Sequence, residues 1–152
     1  MTAIALDTNL LLLLIVGTAI GDVVGKRLKS YSRQDWDSLQ SYLVDADQLI
    51  STPNVWTEVS NICTYGIHKD WHRKVHETLA STINGAVEIV RASRVVAANP
   101  EFSRLGLTDC VWLSVLDDNR DTVLLTDDLP LYHFALSHGF KVKNFNHLRD
   151  LV

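Results

Sequence analysis

Asp7 stands between two apolar runs, Ile4–Leu6 and Leu10–Val16, and no other position narrows the possible folds so far. A short apolar run that gives way almost at once to a longer one reads as a buried strand turning directly into a buried helix. A carboxylate at that junction is costly to bury unpaired, so something must meet it. Three further acidic positions sit in comparable apolar surroundings: Glu58 after Thr52-Pro53-Asn54-Val55-Trp56-Thr57, Asp109 after Leu107-Thr108, and Asp127 with Asp128 after Leu124-Leu125-Thr126. Carboxylates brought close together repel, and a divalent cation is the common way to make them coexist. The expectation is an acidic metal site and, with it, a metal-dependent phosphodiester nuclease.

Composition narrows the class without deciding it. A chain of 152 residues, 47% hydrophobic and 21% charged, is of the size and balance of one globular domain with a real core. A formal net charge of −4 excludes a broad basic surface but not a local one, because an acidic cluster contributes several of those charges. Cys63 and Cys110 are too few for a disulfide framework or a zinc site and read as two reduced core thiols. The apolar run Leu10–Ile20 has no Lys or Arg before it and is about half of the roughly 20 residues that a membrane span needs. It reads as a buried first helix of a cytoplasmic protein.

Along the chain, strand and helix signals alternate. Strands are expected at Ala3–Leu6, Gln48–Ser51, Val87–Val90, Thr122–Leu125 and Phe140–Val142. Helices are expected at Asn9–Ile20; from Ser32, with a capping box to Asp35, to about Val44; from Thr52-Pro53 towards Gly66; at Lys69–Ile83 and Ser93–Ala98; from Thr108 as N-cap to Asp118; and at Pro130–Ser137, stopped by Gly139. Trp36, Leu39, Leu43 and Val44 form the apolar face of the second helix, and Gly21–Tyr31 is a basic connector. Such alternation predicts one α/β domain with a mainly parallel sheet, in which ligands bind beyond the carboxyl ends of the strands. Asp7 and the Asp127–Asp128 pair lie at two such ends.

Taken in order, these motifs resemble the PIN-domain ribonucleases, and within them the toxin-like, VapC-type branch. The resemblance is carried by Leu6-Asp7-Thr8-Asn9, by Thr52-Pro53 leading to Glu58-Val59-Ser60-Asn61, by Leu107-Thr108-Asp109, by Leu125-Thr126-Asp127-Asp128 and by the closing segment Val142–Leu148. No piece is specific alone; their order across nearly the whole chain is what matches. The resemblance implies a three-layer α/β/α fold, Mg²⁺ or Mn²⁺ dependence, RNA cleavage, a homodimer and, for the toxin branch, an antitoxin protein as partner. Carried over residue by residue, it assigns Asp7, Glu58, Asp109 and Asp128 as the catalytic acids, with Asp127 able to share or replace the last.

Asp7 and Asp109 are expected as direct ion ligands, Glu58 as the group that places the attacking water or holds a second ion, and Asp128 as the outer shell. Thr8, Asn9 and Thr126 are expected to orient the acids or to contact phosphate. Plainer roles stand beside these: Asp109 reinforcing its helix terminus, Asp127 and Asp128 as turn and N-cap residues, Glu58 on a solvated face with Asn54 and Asn61, Thr8 and Asn9 as caps. His68, Lys69, His72, Arg73, Lys74 and His76 read as a solvated face before an RNA track, as do Lys26, Arg27, Lys29 and Arg33. The four Trp residues, Trp36, Trp56, Trp71 and Trp112, read as core anchors before base-stacking platforms, Trp71 standing beside the basic cluster. Two other functions are compatible with the chain: a catalytically silent PIN-like RNA- or protein-binding module, and a free-standing RNA-processing nuclease. A haloacid-dehalogenase-type phosphatase fits less well, since its second Asp would fall at Asn9.

Overall fold

The computed structural model describes residues 2–149. Five strands, β1 (Ala3–Leu6), β2 (Gln48–Ser51), β3 (Val87–Glu88), β4 (Val123–Thr126) and β5 (Val142–Asn144), form one all-parallel sheet in the order β3-β2-β1-β4-β5. Helices α1 (Thr8–Ile20), α2 (Arg33–Leu43), α3 (Pro53–Ile62), α4 (His72–Gly85), α5 (Ser93–Val96), α6 (Phe102–Asp118), α7 (Leu129–Ser137) and α8 (Phe145–Arg149) surround it in a three-layer α/β/α arrangement. Central β1 is buried from Ile4 to Leu6, which is why it reads as an unbroken apolar run rather than an alternating one. From β1 the chain crosses to β2 on one side, while β4 lies on the other. The crevice beyond the carboxyl ends of β1 and β4 is therefore the topological switch point of the sheet.

Helix α1 is apolar all round because it is covered all round: it contacts α2, α3 and α4, and Leu10 to Leu13, Ile15 and Val16 are buried. Against α2 it meets Trp36 at Gly17. A Cβ added to Gly17 would come within 2.3 Å of the indole, so glycine is what lets these helices approach. Trp56 and Trp112 are core residues and Trp36 packs against the core, whereas Trp71 is 41% exposed. Cys63 and Cys110 are buried free thiols, as expected.

The structure departs from the sequence reading in several places, each with a local cause. Helix α1 starts one residue early, at Thr8, because Asp7 is its N-cap. The capping box of Ser32 and Asp35 forms, but α2 ends at Leu43. Val44, one step of about 100° further round the helix, is thrown off the apolar face and is 78% exposed. Helix α3 stops at Ile62 rather than near Gly66, and Lys69–Ile83 divides into a 3₁₀ turn (Lys69–Trp71) and α4. Strand β3 is only two residues long because its partner β2 ends at Ser51 and the chain turns at Thr52-Pro53 into α3. Likewise α5 ends at Val96, not at Ala98.

Thr108 is not an N-cap. Helix α6 begins at Phe102 and breaks at Gly106, whose φ of 80° is open to glycine at little cost, so the long segment restarts just before Asp109. Strand β4 lies one residue later than Thr122–Leu125. Strand β5 lies two residues later than Phe140–Val142, because Phe140 packs beneath the Arg120 guanidinium, 4.5 Å from its ring centroid, instead of joining the ladder. The closing segment after β5 folds as α8. Among the described residues no helix is long and apolar enough to cross a membrane.

Candidate active-site cleft

The acids expected from the sequence converge. Asp7, Thr8, Asn9, Glu58, Asp109, Asp127 and Asp128 line one cleft together with Arg27 and Leu131, at the carboxyl ends of β1 and β4. The cleft holds about 180 Å³. A polar space of that size has room for several ordered waters.

Asp7 is the hub. Its backbone N–H donates to Leu125 O at 3.2 Å, continuing the β1–β4 ladder. Its Oδ1 accepts from Leu10 N at 3.0 Å and so caps α1. Its Oδ2 accepts from the Thr126 hydroxyl, and from Asp127 N at 3.0 Å. Even with these three donors its carboxyl is pushed up to about 7, first by burial and then by the neighbouring charge of Asp127. Thr126 thus orients an acid, as expected, from wholly beneath the cleft floor, and its own oxygen accepts from Asp128 N at 3.0 Å.

Glu58 projects from α3, and both of its oxygens are claimed by hydroxyls: Thr8 Oγ1 donates to Oε2 at 2.7 Å and Thr108 Oγ1 to Oε1. That gives Thr8 an orienting role and corrects the reading of Thr108, whose hydroxyl holds an acid instead of starting a helix. Each of Asp7, Asp109 and Asp127 has a threonine beside it in the chain, and all three threonines turn out to donate to an acid of the cluster. That recurrence is the signal in the sequence that marks these hydroxyls.

Asp109 accepts no hydrogen bond from any described residue, in contrast to Asp7 and Glu58. Its carboxyl is pushed up to about 6 by burial, then by Asp128, then by Glu58. The two adjacent acids face different neighbours. Asp128 is the N-cap of α7, its Oδ1 accepting from Leu131 N at 2.9 Å, and it also bears on Asp109. Asp127 bears on Asp7, and its Oδ2 accepts from the Tyr31 hydroxyl. The capping role weighed for this pair is therefore real for Asp128, and it coexists with a place in the cleft.

Arg27 and Tyr31 were missed at this site. Both belong to the connector between α1 and α2, and nothing in the local sequence says that it folds back over the strand ends. Five carboxylates line the cleft against one guanidinium, an excess of negative charge that burial intensifies. Among the described residues no three His, Cys, Asp or Glu side chains stand at the spacing of a ready-made ion cage. The donors are nevertheless hard carboxylate oxygens around a water-sized space. Such donors suit Mg²⁺ or Mn²⁺, since Mg²⁺ keeps several of its waters and takes only one or two carboxylates directly. No protein-family model, curated protein or solved structure matches this chain.

Proposed function

We propose that this chain is a Mg²⁺- or Mn²⁺-dependent ribonuclease of the PIN type. In this reading it is a cytoplasmic homodimer and the toxin of a toxin–antitoxin pair. One observation carries the nuclease reading: carboxylates from four separate chain segments meet at the switch point of a parallel sheet, five of them against the one guanidinium of Arg27, and two, Asp7 and Asp109, are held above the usual carboxylate range. A site built at that cost in repulsion is suited to a ligand of opposite charge.

Asp7 and Asp109 would hold the ion directly. Asp7 is fixed in place by its three donors, and Asp109 presents oxygens that no described protein group engages. Glu58, clamped between Thr8 and Thr108, would accept a hydrogen bond from the attacking water or hold a second ion. Asp128 completes the outer shell while its other oxygen caps α7. A bound divalent ion supplies an activated water and neutralises charge building on the phosphate. The side chains of this protein set where that water and the scissile phosphate lie relative to each other. Asn9, which lines the cleft, would donate to a phosphate oxygen.

The test is cleavage of a mixed RNA pool by chelated protein resupplied with Mn²⁺, beside Asp7→Ala. Metal-dependent cleavage by the wild type and none by the variant is expected. The lack of a ready-made cage favours one other reading, a catalytically silent binding module, which predicts RNA binding with no cleavage in either protein. Growth arrest on expression, relieved by Asp7→Ala, supports the toxin role. Unimpaired growth despite cleavage in vitro points to an RNA-processing enzyme.

A further inference from the structure

The two basic stretches of the sequence lie some forty residues apart, yet the fold stitches them edge to edge. Lys26 N donates to Tyr65 O at 2.9 Å, and a Cβ added to Gly25 would stand 3.2 Å from the Ile67 side chain. A Cβ on Gly66 would stand 2.7 Å from Lys26 N, and Gly66 has φ +71°, so the crossing requires glycine. The connector is pinned at its far end too. Leu28 and Tyr31 are buried, Tyr31 packs on Phe145 at 6.2 Å, and Arg149 donates to Ser30 O at 2.6 Å while pairing with Asp35 at 2.9 Å. Between these anchors Arg27 reaches the acidic cleft, exposed and without an ion pair to any described residue. On the other side of the stitch Tyr65 is 55% exposed, and its turn runs on through Lys69 to the exposed Trp71.

A guanidinium held at the mouth of a cleft of carboxylates, yet paired with none of them, is poised for an anion that enters the cleft. Exposed aromatic rings next to lysines are the usual means of holding unpaired bases and their phosphates. We infer that this strap and the turn stitched to it form a track for a single strand of RNA, Arg27 contacting the phosphate at the cleft and Lys26, Tyr65 and Trp71 holding the nucleotides that lead to it. The inference rests on the ribonuclease reading for its substrate. It explains why a chain of net negative charge concentrates cations on two segments that meet.

The experiment is binding of a fluorescently labelled, unstructured RNA oligonucleotide in the presence of chelator, so that nothing is cut. Arg27→Ala is expected to weaken binding roughly tenfold, as for loss of a hydrogen bond to a charged group. It should also lower the dependence of log affinity on log salt by about 0.7. Arg27→Lys should recover only part of the loss, since lysine lacks the planar fork. Tyr65→Ala should weaken binding roughly fivefold and favour the single strand less over a duplex of the same sequence. Both positions are exposed, so an unchanged Tm is expected to show each of the three variants folded. Wild-type affinity in both Arg27→Ala and Tyr65→Ala overturns the track. If the wild type still cuts RNA with Mn²⁺ in that event, the nuclease reading stands without it. Weakened binding in the variants of a protein that never cuts keeps the track and removes the nuclease.

Discussion

Replacing Asp109 by Asn should make the ion-free protein more stable while disabling it. The carboxyl of Asp109 is raised from 3.8 to about 6 by burial, Asp128 and Glu58, and no described group donates a hydrogen bond to offset them. Between about pH 4 and about pH 6 the folded protein keeps a proton on Asp109 that the unfolded chain has released. Stability therefore falls as pH rises through that window, and the full cost is present above about pH 6. At about 1.4 kcal/mol per pH unit the cost is at most ~3 kcal/mol, and solvent screening of this partly buried group reduces it to ~1–2 kcal/mol. Asn keeps the shape and deletes the charge. Thermal denaturation in chelator at about pH 8 should show Tm higher by roughly 2–8 °C in Asp109→Asn, a gain that shrinks as pH is lowered towards about 4. Adding Mn²⁺ should invert the order, because an ion at about a hundredfold excess over its Kd stabilises the wild type by ~2.7 kcal/mol and the variant has lost a ligand. A lower Tm for the variant in chelator at pH 8 would mean that Asp109 is engaged favourably by the protein, and the argument for an uncompensated acid would fall.

Asp128→Asn should reduce RNA cleavage more than Asp127→Asn, because the charge of Asp128 bears on Asp109, whose oxygens no described group engages, whereas Asp127 bears on the already hydrogen-bonded Asp7 and accepts from the Tyr31 hydroxyl; steady-state rates on one RNA decide it, and the reverse ranking would make Asp127 the fourth acid. Asn can still cap α7, so Asp128→Asn should leave Tm close to that of the wild type, whereas Asp128→Ala should cost about 1 kcal/mol in urea unfolding. Gly17→Ala drives a methyl into the Trp36 indole, so it should destabilise by about 1–3 kcal/mol; an unchanged urea midpoint would show that α1 and α2 sit further apart than described.

What could be read from the sequence, and what could not, divides along a physical line. The strands β1 and β4 and the acids at their ends were legible because burial writes a near-continuous apolar run, and a carboxylate ending such a run needs a reason. The capping box at Ser32 and the start at Thr52-Pro53 were legible because caps act within one turn of the chain. Val44 and β5 were misplaced because hydrophobicity does not say which face an apolar side chain meets. Phe140 found a guanidinium and Val44 found solvent. The break at Gly106 hid the first turn of α6 behind a residue that also marks loops. Arg27 and Tyr31 could not be placed at all: their roles depend on where the connector lands, which is settled by Ile67, Phe145 and Arg149, from other parts of the chain.

Asp7 also sets an order of events. The carboxylate that begins α1 completes its hydrogen bonds only with Thr126 and Asp127 N, the first of them 119 residues further along. Contacts so distant in sequence are made late, after the entropy of closing the intervening loop has been met. On a ribosome, residues 123–128 must be synthesised and paired with β1 before the acids can share one cleft. A chain still being made therefore carries its carboxylates apart, each solvated and harmless. Whatever chemistry the cleft performs waits until the sheet has closed.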